Sequence, residues 1–451
     1  MQSRTLSTTG SSASRREFLK LSGRLTAASA LAGLAVPACH AAESNTLKLA
    51  LVGCGGRGTG AVANALATSG GPVQLHAMAD VFADHLNASL QQLEKFGRQR
   101  VDVPPDRRFV GLDAYKHAID TVGPGNVVLL TTHAAFRPLH FEYAARKGVH
   151  VFMEKSFAVD VPATRRLMQA NQEAKQKNLK VAVGLMWRHS NARAEAIRRI
   201  QEGAIGDVQF LRIYRMHGPT FCPRMRAGEN PLAFQIRHAF SFEWLCSGFL
   251  VDWHCHNIDV ACWAKGAWPV SAQGVAGRCS AEAGNLLDHY AVEFTFADGA
   301  KLFVYSRHMN SCWDQYADFA HGTKGSAVLM SSLSRPNTRI YKGQQMTPEN
   351  LVWQGPQEAD PYVAEWQLLL DAIRQDKPYN EADRGAEANM AALLGRMAAH
   401  TGRFVTREEA WASSFQFVKD IDHLTLESPA PIMPGPDGIF PCPVPGVTKG
   451  I

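Results

Sequence analysis

A buried strand that runs into a glycine-rich turn and then a helix is the feature that most restricts the fold of this chain. Residues 46–52 read T-L-K-L-A-L-V, and residues 53–58 satisfy G-x-G-x-x-G. Gly53 permits a tight turn, Gly55 lets the backbone approach a pyrophosphate, and Gly58 lets the following helix pack close to the strand. The segment therefore predicts a dinucleotide-binding βαβ unit.

The residue that ends the next strand indicates which dinucleotide is bound. Residues 73–79 read as the second strand, and Asp80 follows it about 20 residues after Gly58. A carboxylate at this place accepts hydrogen bonds from both ribose hydroxyls and repels a 2′-phosphate. We therefore expect NAD, and NADP less.

Short strands alternate with helices after this unit, and the pattern changes in the second half. Residues 127–131 and 149–153 read as strands on either side of a helix, which predicts a parallel, doubly wound sheet of the Rossmann type. From Val181 onward, short strand candidates and the Asp298-Gly299 turn predict an α/β domain with a mostly antiparallel sheet. The expected organisation is a signal peptide at 1–42 and an NAD-binding Rossmann domain at 43–155. A C-terminal substrate and oligomerisation domain follows at 156–426, and its late helices are free to pack back on the first domain. Residues 427–451 are expected to form a Pro/Gly-rich tail.

The first 42 residues resemble an export signal. Residues 14–20 read S-R-R-E-F-L-K, and the apolar stretch that follows is too short for a membrane span of roughly 20 residues. This combination is typical of a twin-arginine signal peptide, which predicts export to the periplasm by the twin-arginine machinery and no transmembrane helix in the mature chain. Residues 36–39, V-P-A-C, weakly resemble a lipobox, so a lipid anchor at Cys39 is the less favoured alternative.

The same segment accounts for much of the basic character of the chain. The formal net charge is 47 − 41 = +6, but residues 1–42 hold five bases and one acid, which leaves 42 − 40 = +2 for the remainder. We therefore expect no nucleic-acid partner. The nine cysteines include no C-x-x-C pair, which argues against a zinc ribbon or a thioredoxin-type site.

Two short segments carry candidate chemistry. Glu154-Lys155-Ser156 ends a strand of the first domain, where a lysine can bind a substrate oxygen. In the segment from Asp252 to Asp259, a helix would place Asp252, His256 and Asp259 on one face, and a carboxylate one turn before a histidine can orient it. A helix would point His254 away from His256, and no H-E-x-x-H set is present, so we expect no metal site.

Taken together, these residues resemble the Gfo/Idh/MocA oxidoreductase family, in its exported subgroup with a twin-arginine signal. The similarity covers the glycine turn, Asp80, Thr131-Thr132, His140, residues 148–155 and the D-x-x-x-H-x-x-D of Asp252, His256 and Asp259. It implies a Rossmann domain followed by a domain with an open, mostly antiparallel sheet, and substrates that are sugars, inositols or their derivatives. It also implies that Lys155, Asp252 and His256 are catalytic, and that the cofactor is held by Gly53, Gly55, Gly56, Arg57, Gly58, Asp80, Thr131, His133, Glu154 and Lys155.

Two departures from the family pattern affect this interpretation. Ser156 stands where the family usually has proline, and His254 stands where it usually has glycine. The segments Met186–His189 and 307–313 resemble exported family members that act on glycosides, since their aromatic and basic side chains suit sugar faces and hydroxyls. The substrate candidates are Trp187, Arg188, His189, His254, Asp259, Arg307 and Trp313.

The expected activity is hydride transfer between a nicotinamide cofactor and a hydroxyl or ketone of a sugar or glycoside. His256 would take the hydroxyl proton, Asp252 would orient the substrate or His256, and Lys155 would stabilise the reacting oxygen. Because the periplasm offers no free NAD pool, we expect a tightly bound cofactor in a homo-oligomer. The alternatives are an NAD-dependent glycosidase that oxidises, eliminates, hydrates and re-reduces its substrate, and a non-catalytic exported sugar-binding protein.

Export should depend on the arginine pair of the signal. Replacing both Arg15 and Arg16 with lysine should leave the folded precursor in the cytoplasm, because the twin-arginine route reads the pair itself. Immunoblots of cytoplasmic and periplasmic fractions measure the effect. Normal export of the double variant would contradict the targeting assignment.

Overall fold

The computed structural model describes residues 45–280, 282–331, 337–357 and 359–448. The predicted signal peptide, with Arg15, Arg16 and Cys39, lies outside the described residues. From Thr46 onward the chain forms one compact unit that contains both of its sheets.

The first sheet is a six-stranded parallel sheet with the strand order β3-β2-β1-β4-β5-β6. Apolar side chains of α1, α2 and α11 pack on one face, and those of α3, α4 and α5 on the other, so the sheet is doubly wound as predicted. The strands are β1 (Leu47–Val52), β2 (Val73–Asp80), β3 (Arg108–Val110), β4 (Val127–Leu130), β5 (His150–Met153) and β6 (Val181–Val183). The helices are α1 (Gly56–Leu66), α2 (Ala83–Leu93), α3 (Ala114–Val122), α4 (Arg137–Lys147), α5 (Val161–Gln176) and, from later in the chain, α11 (Pro361–Arg374).

The boundary predicted at residue 155 falls inside this sheet and is corrected. After β5 the chain forms the crossover helix α5 and then β6, which pairs in parallel with β5. The V-A-V run of β6 is too short to be recognised as a strand from the sequence, so the sequence analysis assigns it to the second domain. The first sheet therefore extends to Val183.

The second sheet has nine strands in the order β14-β13-β12-β11-β7-β10-β9-β8-β15. Its pairs are antiparallel except for β7 with β10, which confirms the prediction of a mostly antiparallel sheet. The strands are β7 (Val208–His217), β8 (Ser271–Gly277), β9 (His289–Thr295), β10 (Lys301–His308), β11 (Gln315–Gly322), β12 (Gly325–Met330), β13 (Arg339–Lys342), β14 (Leu351–Gln354) and β15 (Val405–Thr406).

Helices cover one face of the second sheet and connect the two cores. The remaining helices are α6 (Asn191–Gln201), α7 (Pro231–Arg237), α8 (Glu243–Cys246), α9 (Gly248–Asp252), α10 (Cys255–Lys265), α12 (Ala382–Thr401) and α13 (Arg407–Ala412). The first part of α12 lies in the core of the parallel sheet and its second part lies in the core of the antiparallel sheet. Among the described residues, no helix has the length and apolar composition needed to cross a membrane.

The late helix α11 packs on the first domain beside α1. Trp366 is fully buried and stacks on Phe152 of β5 with ring centroids 4.3 Å apart. On the same helix, the Gln367 side chain accepts a hydrogen bond from the Ser69 backbone N–H at 2.8 Å and donates to the Ser69 carbonyl at 3.0 Å. This helix therefore holds the C-terminal part of the chain against the parallel sheet.

Removing Trp366 should reduce the stability of the whole unit. Trp366→Ala should lower the free energy of unfolding by about 3–5 kcal/mol, because it leaves a large cavity beside β5. Leu368→Ala, on the same helix but 47% exposed, is the matched control and should change it by about 0.5 kcal/mol or less. Urea unfolding followed by circular dichroism measures both, and equal effects would contradict the assigned role of α11.

Candidate active site

The glycine turn between β1 and α1 is fixed by close backbone contacts. Gly53 has φ +98°, and a Cβ there would lie 2.7 Å from the Thr132 backbone nitrogen at the end of β4. A Cβ on Gly58 would lie 2.1 Å from the Gly53 carbonyl oxygen. At Gly55 and Gly56, by contrast, no described atom lies within 4 Å of the added carbon. The outer glycines thus serve the fold, and the inner two leave space open in front of the helix N-terminus.

That space belongs to a cavity of about 500 Å³ at the carboxyl ends of the parallel strands. It lies where the strand order reverses between β1 and β4, the usual ligand position in such sheets. All ten residues predicted to hold the cofactor line this cavity, and so does the predicted catalytic residue Asp252. The structure therefore brings together the glycine turn, Asp80, Lys155 and Asp252 around one space.

The carboxylate of Asp80 is held at the mouth of the turn. Its Oδ2 accepts a hydrogen bond from the Cys54 backbone N–H at 2.6 Å, and its Oδ1 accepts one from the Phe82 N–H at 2.9 Å. The imidazole of His85 lies 3.7 Å away. These bonds fix the orientation of the carboxylate, and each oxygen has a further lone pair for a ligand hydroxyl.

Arg57 does not extend freely into the cavity, because three groups hold its guanidinium. Its Nε donates to Glu154 Oε1 at 2.6 Å, and the guanidinium lies 4.5 Å from the centre of the Tyr362 ring. The buried Glu365 lies 4.0 Å from Arg57 Nη2. Burial is the largest single influence and acts to lower the pKa of Arg57, but the charge and hydrogen bond of Glu154, with smaller contributions from Glu365 and Tyr362, together raise it.

Tyr362 and Glu365 were not found from the sequence, where they are unremarkable residues of a late helix. Burial, followed by the charge of Glu154, raises the pKa of Glu365 well above its ordinary value. Neither carboxyl oxygen of Glu365 has a hydrogen-bond partner within the described chain. Burial therefore favours the neutral form of Glu365 beside Arg57.

Lys155 and Asp252 meet where the two sheets come together. Lys155 Nζ donates to the Asp252 carbonyl oxygen at 2.5 Å and lies 3.4 Å from Asp252 Oδ1. The hydroxyl of Ser156 donates to the Val251 carbonyl at 3.0 Å and to Asp252 Oδ1 at 3.1 Å. The Lys155–Ser156 peptide bond is cis, and the Ser156 hydroxyl helps to position Asp252.

Arg137 is a further residue of this site that sequence reasoning missed. It is buried at the start of α4 and donates to the carbonyl oxygens of Ser156 and Thr132, which links the ends of β5 and β4. Burial lowers its pKa to about 10, so it stays charged at neutral pH. A lone arginine in a predicted helix gave no signal of this role.

His256 lies beside this contact but does not line the cavity. Its side chain is 8% exposed, and Nδ1 has no hydrogen-bond partner among the described residues. Burial, and then the charge of Lys155, lowers the pKa of His256 well below its ordinary value. The imidazole is therefore neutral at pH 7 and able to accept a proton.

The predicted single helix through Asp252, His256 and Asp259 is corrected. Helix α9 ends at Asp252, and α10 begins at Cys255 after a turn at Trp253 and His254. Asp259 faces away from the cavity and binds Arg188 through both carboxylate oxygens, each at 2.7 Å. Arg188 and Asp259 are therefore bound to each other within the C-terminal domain.

None of the seven substrate candidates lines the cavity as the described residues define it. The buried Trp187 lies under the Arg193 guanidinium at 4.2 Å, and His189 Nε2 lies 3.4 Å from Glu381. His254 is buried, with Nδ1 3.1 Å from the Phe249 carbonyl, and burial lowers its pKa to about 3.

The remaining two candidates lie at the surface of the second sheet. Arg307 donates to the Trp313 carbonyl oxygen at 2.6 Å, and the Trp313 side chain is 63% exposed. The structure therefore leaves the substrate roles of all seven as predictions, and it gives most of them packing or ion-pair partners instead.

A cysteine, an aspartate and a histidine with the chemistry of metal ligands lie close together elsewhere in the described chain. One donor atom from each of Cys279, Asp288 and His289 lies within 4.8 Å of the others. Asp288 accepts hydrogen bonds from the Cys279 and Ser280 backbone N–H groups at 2.9 and 2.6 Å and lies 2.8 Å from His289 Nδ1. These bonds close the loop between Cys279 and Asp288, which explains why the three side chains lie together.

The cavity has an outer wall that the sequence did not reveal. Residues 236–241 of the C-terminal domain line it opposite the first sheet, together with Thr220 and Phe221. These residues form short helical turns with no motif, so only the tertiary structure shows that they belong to the site.

Comparison with known proteins supports a relationship with one family of oxidoreductases. Residues 194–328 match the family model described as the GFO/IDH/MocA C-terminal domain. A comparison with curated protein sequences found no match.

Solved structures with the same fold include three enzymes. An aldose-aldose oxidoreductase from Caulobacter crescentus is 20% identical, covers 80% of this chain and 99% of its own, and gives a TM-score of 0.61. A scyllo-inositol dehydrogenase from Lactobacillus casei is 21% identical over 81% and 100%, with a TM-score of 0.58. An oxidoreductase from Agrobacterium radiobacter in complex with NAD⁺, L-tartaric acid and magnesium is 15% identical over 80% and 98%, with a TM-score of 0.60. At these identities the comparison establishes the fold.

The inner and outer glycines should respond differently to substitution. Gly55→Ala should keep the melting temperature and weaken NAD binding at least tenfold, because its Cβ enters the open space in front of α1. Gly58→Ala should instead lower the melting temperature, because its Cβ meets backbone. Thermal unfolding and calorimetric titration with NAD measure the two effects. Unchanged NAD affinity in Gly55→Ala would show that the ligand lies elsewhere.

Proposed function

We propose that this protein is an NAD-dependent oxidoreductase of the GFO/IDH/MocA type that acts on a hydroxyl-bearing carbon of a sugar or glycoside. The observation that carries the proposal is the single cavity lined both by the glycine turn with Asp80 and by Lys155 with Asp252. A nucleotide-binding end and a proton-handling end in one space are what a dehydrogenase requires.

The residues present fit a nicotinamide dinucleotide. Gly55 and Gly56 leave a cradle open at the N-terminus of α1, where free N–H groups favour a pyrophosphate. Asp80 offers its carboxylate to the adenosine ribose and disfavours a 2′-phosphate, so NAD is preferred over NADP. When bound, NAD supplies the acceptor and donor of hydride.

Lys155 is assigned to the reacting oxygen of the substrate. Its ammonium is partly exposed to the cavity, and the Asp252 carbonyl oxygen fixes its position. A positive charge held there stabilises an alkoxide as the hydroxyl proton leaves. Ser156 and Arg137 support Lys155, because their hydrogen bonds fix the backbone that carries it.

His256 is assigned the proton of the substrate hydroxyl. Its imidazole is neutral, and its Nδ1 is without a partner in the described structure, although burial and the charge of Lys155 both oppose its protonation. Asp252, which the sequence assigns to orienting the substrate or His256, has one carboxylate oxygen bound by Ser156. These side chains would move a proton while the cofactor handles the hydride.

The substrate class, export and assembly belong to the same proposal. The structural relatives include enzymes named for aldoses and inositols, which supports a polyhydroxylated substrate. The twin-arginine pattern supports export of a folded, cofactor-loaded protein to the periplasm. Exposed apolar side chains on the second sheet, Phe210, Val275 and Phe404, support a homo-oligomer.

The mature protein should contain or bind NAD and reduce it with one class of polyol. The test is to identify any bound nucleotide by mass spectrometry, and then to screen aldoses, inositols and glycosides for a change in absorbance at the nicotinamide band. Lys155→Met and His256→Ala should keep NAD and slow its reduction by about 10²–10⁴-fold, because each removes a group that acts on the same substrate oxygen, whereas the glycine turn and Asp80 hold the nucleotide.

Lys95→Met, on the exposed surface of the first domain, is the control for the loss of a lysine and should react at the wild-type rate. A protein that binds no nicotinamide nucleotide would overturn the proposed function. Full single-turnover reduction in both site variants would leave the nucleotide site standing and remove the catalytic assignment.

A further inference from the structure

A segment of the C-terminal domain crosses the mouth of the dinucleotide cavity. This segment, residues 230–246 and here named the strap, contains α7, a 3₁₀ turn at Ala239–Ser241 and α8. Its residues from Ile236 to Ser241 line the cavity opposite the glycine turn. A ligand in the cavity would therefore lie between the first domain and the strap.

Arg237 of the strap clasps the first domain just after Asp80. Its guanidinium bonds both carboxylate oxygens of Asp84, at 2.7 and 3.2 Å, and lies 4.0 Å from the centre of the Phe82 ring. Arg237, Phe82 and Asp80 all line the cavity. The clasp is therefore at the end where Asp80 would hold the adenosine ribose.

A second contact joins the strap to the first domain at the other end of the 3₁₀ turn. The rings of Phe240 and His133 meet edge to face with centroids 5.7 Å apart. His133 follows β4, and burial lowers its pKa to about 4, so the pair is a contact between neutral rings. The strap is thus attached to the first domain after β2 and after β4.

The outer side of the strap is held by a segment close to the C-terminus. This backing segment, residues 424–440, accepts hydrogen bonds from the strap at two carbonyl oxygens: Asn230 donates to Leu426 at 2.7 Å, and the buried Gln235 donates to Ile432 at 2.6 Å. The buried Phe440 packs edge to face on Phe242, with centroids 4.8 Å apart. Part of the Pro/Gly-rich tail predicted at 427–451 is therefore packed behind the strap.

We propose that Arg237 and the strap form a cofactor-retaining clasp, which keeps the dinucleotide bound between catalytic cycles. The proposal rests on the proposed function, since it requires a dinucleotide in the cavity. Two of the anchors behind the strap, Gln235 and the Phe242–Phe440 pair, are buried and resist separation, whereas the clasp is partly exposed, with Arg237 at 39% and Asp84 at 64%. The clasp is therefore the contact that opens when the dinucleotide leaves, and its strength sets the rate of release.

The test measures how fast bound NAD leaves the full-length mature protein. The protein is loaded with radiolabelled NAD, chased with excess unlabelled NAD, and sampled for retained label. Arg237→Ala should release NAD on the order of tenfold faster, because it removes both the ion pair and the cation–π contact, and Asp84→Asn about two- to fivefold faster, because it removes the ion pair alone. The charge-swapped pair Arg237→Asp with Asp84→Arg should recover much of the slow release.

Arg198→Ala is the matched control, because Arg198 also forms an exposed ion pair with carboxylates, but on α6 away from the cavity. It should release NAD at the wild-type rate. If Arg237→Ala and Asp84→Asn release NAD no faster than Arg198→Ala, the clasp is wrong and the proposed function stands. If the wild-type protein takes up no label at all, the proposed function itself fails, and the clasp with it.

Discussion

The active cavity depends on the contact between the end of β5 and the end of α9. Ser156 and Lys155 come from the parallel sheet, while Val251 and Asp252 come from the C-terminal domain, and three hydrogen bonds join them. Without this contact the glycine turn and Asp80 would not share one cavity with Lys155 and Asp252. Helices α11 and α12 maintain it from a distance, because each packs against elements of both halves.

The main energetic cost of this arrangement is the burial of charge beside the glycine turn. Arg57 and Glu154 pair closely, and Glu365 is kept neutral by the same burial that would make its charge expensive. A buried ion pair contributes little net stability compared with apolar packing. Its value here is positional: Glu154 is held at the strand end next to Lys155, with its orientation set before any ligand arrives.

Sequence reasoning found the parts of the site that rest on local signals and missed those that rest on tertiary contacts. The strand, glycine turn and terminal acid lie within one short stretch, so their geometry follows from spacing, and the structure places all ten predicted cofactor residues around one cavity. Glu365 and Arg237 act through partners far away in the chain, and Arg137 joins the loops after two different strands, which no local pattern reveals. Asp259 shows the converse. It fits the D-x-x-x-H-x-x-D spacing, but its carboxylate forms an ion pair with Arg188.

The position of Phe440 behind the strap imposes an order on synthesis. The glycine turn and β4 are synthesised long before the backing segment. Until that segment is made, the strap has no support on its outer side. The wall opposite the turn gains its support only after Phe440 has been made and has packed against Phe242. The support of the outer wall is thus completed late in synthesis, after every residue that lines the cavity has been made.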